Sequence, residues 1–204
     1  RKAKKIDEKD KKFAETREFI ENKFDSFNEK RKNGENDEKI CQLIRNDSID
    51  QFITFVNSND FPLSSKIEQS IYETNQFLNE NEAHLIEYAA FYGSIQIFKY
   101  LFINKCQPSP TLWLFAIHGQ NSEVIHYLEE NKIMPQDETY RECLFESFKC
   151  HHIDITDYIL NNLYHFDHVD NEDSCLLNLK YFNYNFLPEN LSTQTNIFYN
   201  CCKY

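Results

Sequence analysis

Two stretches of this chain are variants of one phrase. Leu85–Leu101 aligns with Leu112–Leu128 at an offset of 27 residues, so that Ala89 falls on Ala116 and Tyr100-Leu101 on Tyr127-Leu128. A third copy runs from Cys143-Leu144-Phe145-Glu146-Ser147-Phe148 to Asp154-Ile155-Thr156-Asp157-Tyr158-Ile159, with Ser147 in the alanine position 31 residues beyond Ala116. A fainter copy lies upstream, where Ile40, Leu43 and Ile44 precede Ser48-Ile49-Asp50-Gln51-Phe52 and Leu43 falls on Ala89 at an offset of 46. The apolar spacing in each copy predicts helix, tight turn, helix. One such pair cannot bury its apolar face alone. The copies are therefore expected to stack into an all-α solenoid.

Individual residues have matching roles. Small side chains at Ala89, Ala116 and Ser147 let neighbouring first helices approach closely, and Gly93 permits the positive φ that the inter-helix turn requires. Ser48, Ser94 and Asn121 stand where the second helices want an N-cap. Ser109-Pro110 reads as an N-cap followed by proline at the first helical position, and Asp137 after Pro135 as a similar signal. The insertion 57–83 is expected to carry a helix of its own, begun by a Ser65-x-x-Glu68 capping box, with Ile67, Ile71 and Leu78 on one face.

The remaining numbers narrow the class. With only 3 Gly and 5 Pro in 204 residues, the chain lacks the turn residues of a β-sandwich or barrel. Its net charge of −11 is unevenly spread. Residues 1–32 hold 12 Lys/Arg and 8 Asp/Glu, whereas residues 33–204 hold 10 Lys/Arg and 25 Asp/Glu. The acidic body opposes nucleic-acid binding, which leaves the basic arm as the one part suited to a nucleic acid or an acidic membrane.

Ile6, Phe13, Ile20 and Phe27 recur every seven residues, so 1–32 is expected to be a charged helix. Its aromatic end (Phe19, Ile20, Phe24, Phe27) would pack on the first repeat, or the arm would form a thin coiled-coil seam. Asn33-Gly34-Glu35-Asn36-Asp37 marks the boundary between an N-terminal segment, 1–36, and the repeats, 37–204. Seven cysteines at irregular spacing make a poor disulfide framework and suit a reducing compartment, cytoplasm or nucleus. No apolar run approaches the roughly 18 residues of a membrane span, and from the charged first residues no signal peptide is expected. A start at Arg1 instead of Met suggests a fragment.

Reactive chemistry is hard to assemble. There is no Gly-rich phosphate loop, H-E-x-x-H, EF-hand or G-x-S-x-G, so neither a cofactor nor a small-molecule substrate is expected. Cys150-His151-His152 is the most metal-like run, but three adjacent residues cannot all point at one tetrahedral ion. In the repeat they fill the inter-helix turn. His165, Asp167, His168 and Asp170 form a polar loop without the pattern of a metal site. His118 and Cys143 could pair as base and nucleophile only if a carboxylate joined them; a buried thiol is the simpler expectation for Cys143. Cys201-Cys202 reads as small packing residues.

Leu85-Ile86-Glu87-Tyr88-Ala89-Ala90-Phe91-Tyr92-Gly93-Ser94-Ile95-Gln96-Ile97-Phe98-Lys99-Tyr100-Leu101 resembles the ankyrin repeat, whose core reads L-H-x-A-A-x-x-G-x-x-E-I-V-x-x-L-L. The stretch from about Ile40 to Tyr158 is similar to the divergent ankyrin-type domain of large protist families, through Ser70-Ile71-Tyr72-Glu73-Thr74-Asn75 and Trp113-Leu114-Phe115-Ala116-Ile117-His118-Gly119 as well. The Thr-Pro-Leu-His motif is missing from every unit, the offsets are 27 and 31, and Asn104-Lys105-Cys106 and Asn131-Lys132-Ile133 replace the usual finger, so short fingers are expected. The resemblance implies units at about 38–56, 84–106, 111–133 and 138–163, with a partial unit at 194–204 that breaks off at Tyr204 before its second helix. It implies a scaffold that binds an unidentified protein partner on its concave face, through residues just before the inter-helix turn. Those are Phe91 and Tyr92, His118 and Gly119, and Lys149 and Cys150. Alternatively, Phe91 and Tyr92 pack beneath the 57–83 insertion.

Overall fold

In the computed structural model, which describes residues 11, 13–17, 24–164 and 171–187, the periodic apolar segments are helices. They are α1 (Phe24–Asn33), α2 (Lys39–Arg45), α3 (Ile49–Ser58), α4 (Gln76–Glu80), α5 (Leu85–Phe91), α6 (Ile95–Ile103), α7 (Leu112–His118), α8 (Ser122–Glu130), α9 (Arg141–Lys149), α10 (Ile153–Tyr158) and α11 (Asn171–Lys180). A π-helical turn, Ile159–Leu163, extends α10, and a short 3-10 turn, Tyr184–Phe186, follows α11. Among the described residues no strand forms, although Lys66 and His84 make an isolated antiparallel bridge. Much of the basic arm, the His165–Asp170 loop and the expected partial unit 194–204 lie outside the described residues.

The chain divides into two compact units, residues 1–42 with 67–82 and residues 43–66 with 83–204. In the first unit the buried Asn36 is the hub. Its backbone N–H donates to the Glu73 carboxylate at 3.2 Å, and its amide donates to the Glu68 carbonyl at 2.8 Å. Gly34, at φ +69°, offers its carbonyl to the Thr74 hydroxyl at 2.8 Å. Phe27 packs against Tyr72, with ring centroids 5.6 Å apart.

The second unit is an all-α stack of helix pairs in chain order, an arrangement consistent with a helical solenoid. The first helices α5, α7 and α9 pack successively, and the second helices α3, α6 and α8 form a parallel row. Ala89, Ala116 and Ser147 are fully buried on adjacent first helices. The turns repeat at the level of the backbone. Asp47, Gly93, Gln120 and His151 occupy equivalent positions, and all four have positive φ, between 45° and 65°. In each turn this residue's N–H returns to the carbonyl three residues back: Ile44, Ala90, Ile117 and Phe148 respectively.

The second helices also end alike. Asn59, Asn104, Asn131 and Asn162 each donate a side-chain amide to the carbonyl four residues earlier, satisfying a terminal group that the helix leaves open. Polar ties join one pair to the next. The Asp47 carboxylate accepts the Gln96 and Ile97 N–H groups at the start of α6, and the Ser94 hydroxyl donates to the Ile44 carbonyl. Glu87, fully buried, accepts from the His84 and Ser109 N–H groups at 2.9 and 2.6 Å.

Several local expectations need correction. Asn121 does cap α8 with its side chain, but the Ser48 and Ser94 hydroxyls cap nothing; Asp47 has taken the α6 terminus instead. Pro110 and Thr111 form a turn closed by the Leu112 N–H on the Ser109 carbonyl, and α7 starts at Leu112 with Thr111 as its N-cap residue. Asp137 fulfils its capping role from outside α9, accepting the Glu142 N–H at 3.0 Å. Ser65-x-x-Glu68 begins no helix: the Ser65 carbonyl accepts the Leu85 N–H, and Ser65 sits beside the Lys66–His84 bridge. The insertion's helix is α4, capped by Asn75, and Ile71 is exposed. In α1, Phe24 is 59% exposed, so the aromatic end is not packed as a block.

Gly119 marks the tightest approach. A Cβ there would lie 2.4 Å from the Ala90 carbonyl oxygen and 2.6 Å from that of Phe91. Both are backbone atoms at the end of α5, with no side-chain freedom to relieve the clash. Gly119→Ala is expected to destabilise the chain by about 1–3 kcal/mol through overpacking. Urea denaturation checks this; an unchanged midpoint would mean that the helices are free to part.

Candidate functional site

The residues that precede the inter-helix turns form one connected row in the second unit. Arg45, Phe91, His118 and Lys149 occupy equivalent positions in successive units, at the C-terminal ends of α2, α5, α7 and α9. Arg45, Phe91 and His118 each meet the last turn of the neighbouring first helix, and Lys149 reaches Glu146 one turn back on its own helix. Arg45 donates to the Tyr88 hydroxyl at 2.8 Å and lies over the Tyr92 ring, 5.8 Å from its centroid. Tyr92 packs against Tyr88 and Phe91 at 4.8 and 5.0 Å. Phe91 stacks on the His118 imidazole at 5.7 Å and 25°. His118 Nε2 lies 2.6 Å from Glu146 Oε1, and Lys149 Nζ donates to the same oxygen at 3.1 Å. The structure thus brings together Phe91, Tyr92, His118 and Lys149, four of the six residues that the sequence placed just before the turns.

Two further residues belong to the row. Cys150 Sγ lies 3.5 Å from His118 Nδ1, 3.6 Å from Nε2 and 4.0 Å from Glu146 Oε1. Glu146 received no role from the sequence, whereas Cys150 was expected to flank the binding face beside Lys149 and, within Cys150-His151-His152, to hold no metal. The signal was present in the repeat register. The 31-residue offset sets Lys149 opposite His118, and Glu146 and Cys150 sit one helical turn apart beside it. His151 and His152 add no ligand atom to this cluster, although the His152 side chain hydrogen-bonds to the His118 backbone.

The electrostatics favour a charged pair beside a neutral thiol. Burial works against ionisation of Glu146, but hydrogen bonds from His118 and Lys149 outweigh it and hold the carboxyl below its ordinary range. Burial likewise works against the Lys149 charge, and Glu146 more than compensates, so the ammonium is held above its usual value. Burial, reinforced by the Glu146 charge, pushes the Cys150 thiol up to about 12. Its sulfur is also nearly equidistant from both imidazole nitrogens, so it stands over the ring and in line with neither lone pair. A neutral thiol in that position is not an activated nucleophile. The thiol beside His118 is Cys150 and not Cys143, which is fully buried with its pKa driven up by burial.

The five described cysteines Cys41, Cys106, Cys143, Cys150 and Cys175 are free thiols. Among the described residues no helix is long and apolar enough to cross a membrane. Compared with protein-family models, with curated proteins and with solved structures, the chain matches none.

The depressed Glu146 carboxyl has a pH signature. A lowered folded-state pKa contributes stability above the ordinary carboxylate range and loses it as pH falls through the folded value. Glu146→Gln is expected to lower Tm at neutral pH, with the deficit closing as pH falls through and below the ordinary carboxylate range. Melting curves of both chains from neutral pH into the acid range check it; a deficit independent of pH would assign the loss to packing.

Proposed function

We propose that the chain is a divergent ankyrin-type repeat scaffold, without catalysis of its own, that binds an intracellular protein partner through the concave face of its repeats. The continuous row from Arg45 through Tyr92, Phe91 and His118 to Glu146 and Lys149 carries this reading. It unites aromatic, cationic and anionic groups on the part of the repeats that the ankyrin resemblance assigns to binding, and aromatic and arginine side chains are enriched among interface anchors. The repeated positive-φ turn and the repeated asparagine at each second-helix end support the repeat assignment. Binding at such a face needs no bound cofactor and no small-molecule substrate.

The test compares three forms of the whole chain as bait: the native chain, Phe91→Ala with Tyr92→Ala, and Glu130→Gln on the exposed side of α8 as control. Proteins held by the native chain and by Glu130→Gln, but lost from the double variant, are the expected result. The loss should reach about 2 kcal/mol in affinity, the scale of an interface hot spot. Capture that survives the double variant unchanged would move the binding surface elsewhere.

A further inference from the structure

We propose that His118, Glu146 and Cys150 form a three-ligand Zn²⁺ site bridging two successive helix pairs and open on its fourth side. One donor atom from each residue lies within 4.8 Å of the other two. The set is mixed nitrogen, oxygen and sulfur, the donors that zinc takes in tetrahedral array at about 2.0–2.3 Å, which sets the donors themselves about 3.3–3.6 Å apart. Cys150 Sγ and His118 Nε2 are 3.6 Å apart, and Sγ and Glu146 Oε1 are 4.0 Å apart. The Nε2–Oε1 edge, at 2.6 Å, is a hydrogen bond, and it lengthens when an ion replaces the proton between the two atoms. The remaining adjustment is a turn of the Cys150 side chain off the face of the imidazole.

The framework suits an ion held by a fixed cage. Glu146 and Cys150 lie one turn apart at the end of α9, and His118 ends α7, which packs directly on α9. The His118 and Glu146 side chains are each 15% exposed, enough to admit an ion and one outside ligand, as catalytic and partner-completed zinc sites do and closed structural ones do not. Lys149 now supplies the positive charge beside Glu146; its side chain is 42% exposed and can leave for solvent when a divalent ion takes that place. The acidic excess of residues 33–204 draws cations to the surface. This site stands apart from the scaffold reading: the row can bind a protein with or without metal, and the metal test uses the chain alone.

The experiment is a titration of the chelator-stripped full chain with Co²⁺ and then Zn²⁺. One equivalent of Co²⁺ should produce a thiolate-to-cobalt charge-transfer band with tetrahedral d–d absorption, and Zn²⁺ should displace it. Cys150→Ser should abolish that band and weaken Zn²⁺ binding by roughly tenfold or more, at least the loss known for outer-shell changes. Cys106→Ser should leave both unchanged. Should Cys150→Ser fail to fold, the native chain decides: Zn²⁺ should protect Cys150 from alkylation, read peptide by peptide in mass spectra, while Cys106 stays unprotected. Absence of the charge-transfer band, its persistence in folded Cys150→Ser, or equal alkylation of Cys150 with and without Zn²⁺ would each overturn the site.

Discussion

The close approach of α7 to α5 is the constraint on which the second unit depends. Gly119 has backbone carbonyls where any Cβ would go, and Ala89, Ala90 and Ala116 keep the contact small along the rest of the seam. Interiors packed at crystal-like density leave little slack, so this spacing fixes the register of each first helix on the next. That register sets His118 against Phe91 on one side and Glu146 on the other. Where the seam passes to α9, the small residue is Ser147. Its hydroxyl donates to the Leu144 carbonyl and accepts from Thr156, so burial of the polar group is fully met.

The turns show how far a repeat can drift while keeping one backbone. Three of the four positive-φ positions hold Asp47, Gln120 and His151, residues for which that conformation is strained by about 1–2 kcal/mol relative to glycine. The strain is offset locally. Each turn returns an N–H to the carbonyl three residues back, and Asp47 also caps the next second helix from across the joint. Side-chain chemistry has therefore moved between positions while the hydrogen-bonding tasks remained. This explains the unused Ser48 and Ser94 hydroxyls at the caps. The α6 terminus is served by Asp47, and Ser94 is left to reach the Ile44 carbonyl.

Helix pairs, their order and their turns were legible in the sequence because periodicity and small-residue spacing are local signals that recur. The segment 57–83 was legible only as an interruption. Its long-range hydrogen bonds include those to Gly34, Asn36 and Asp37, 32 to 40 residues away, and no local pattern encodes such partners. Ser65-x-x-Glu68 has the composition of a capping box, but capping is worth about 1 kcal/mol and yields to a tertiary bridge. In the candidate site, Phe91, Tyr92, His118 and Lys149 were found because the repeat places them at one end of their helices. Glu146 was missed, and Cys150, though named beside Lys149, was not linked to His118, because a search within a single run of residues cannot see a cluster that forms across the repeat offset.

The same offset accounts for the chemical diversity of the row. Equivalent positions hold Arg45, Phe91, His118 and Lys149, and two of the four reach the neighbouring helix in the same way: Arg45 to Tyr88 and His118 to Glu146, each to the residue three places before its counterpart. A stacked repeat thus couples the last turn of one first helix to the last turn of the next. Changing one residue alters two rungs, because each side chain lines its own unit and packs on its neighbour. Arg45 with Tyr88 makes a rung that is cationic and aromatic; His118 with Glu146 makes one that is polar, half-buried and able to exchange its bridging proton for a metal ion. On the proposed scaffold reading, such a surface would gain selectivity from the sequence of its rungs, since a partner matched to one rung would also have to accept the charge and shape of the next.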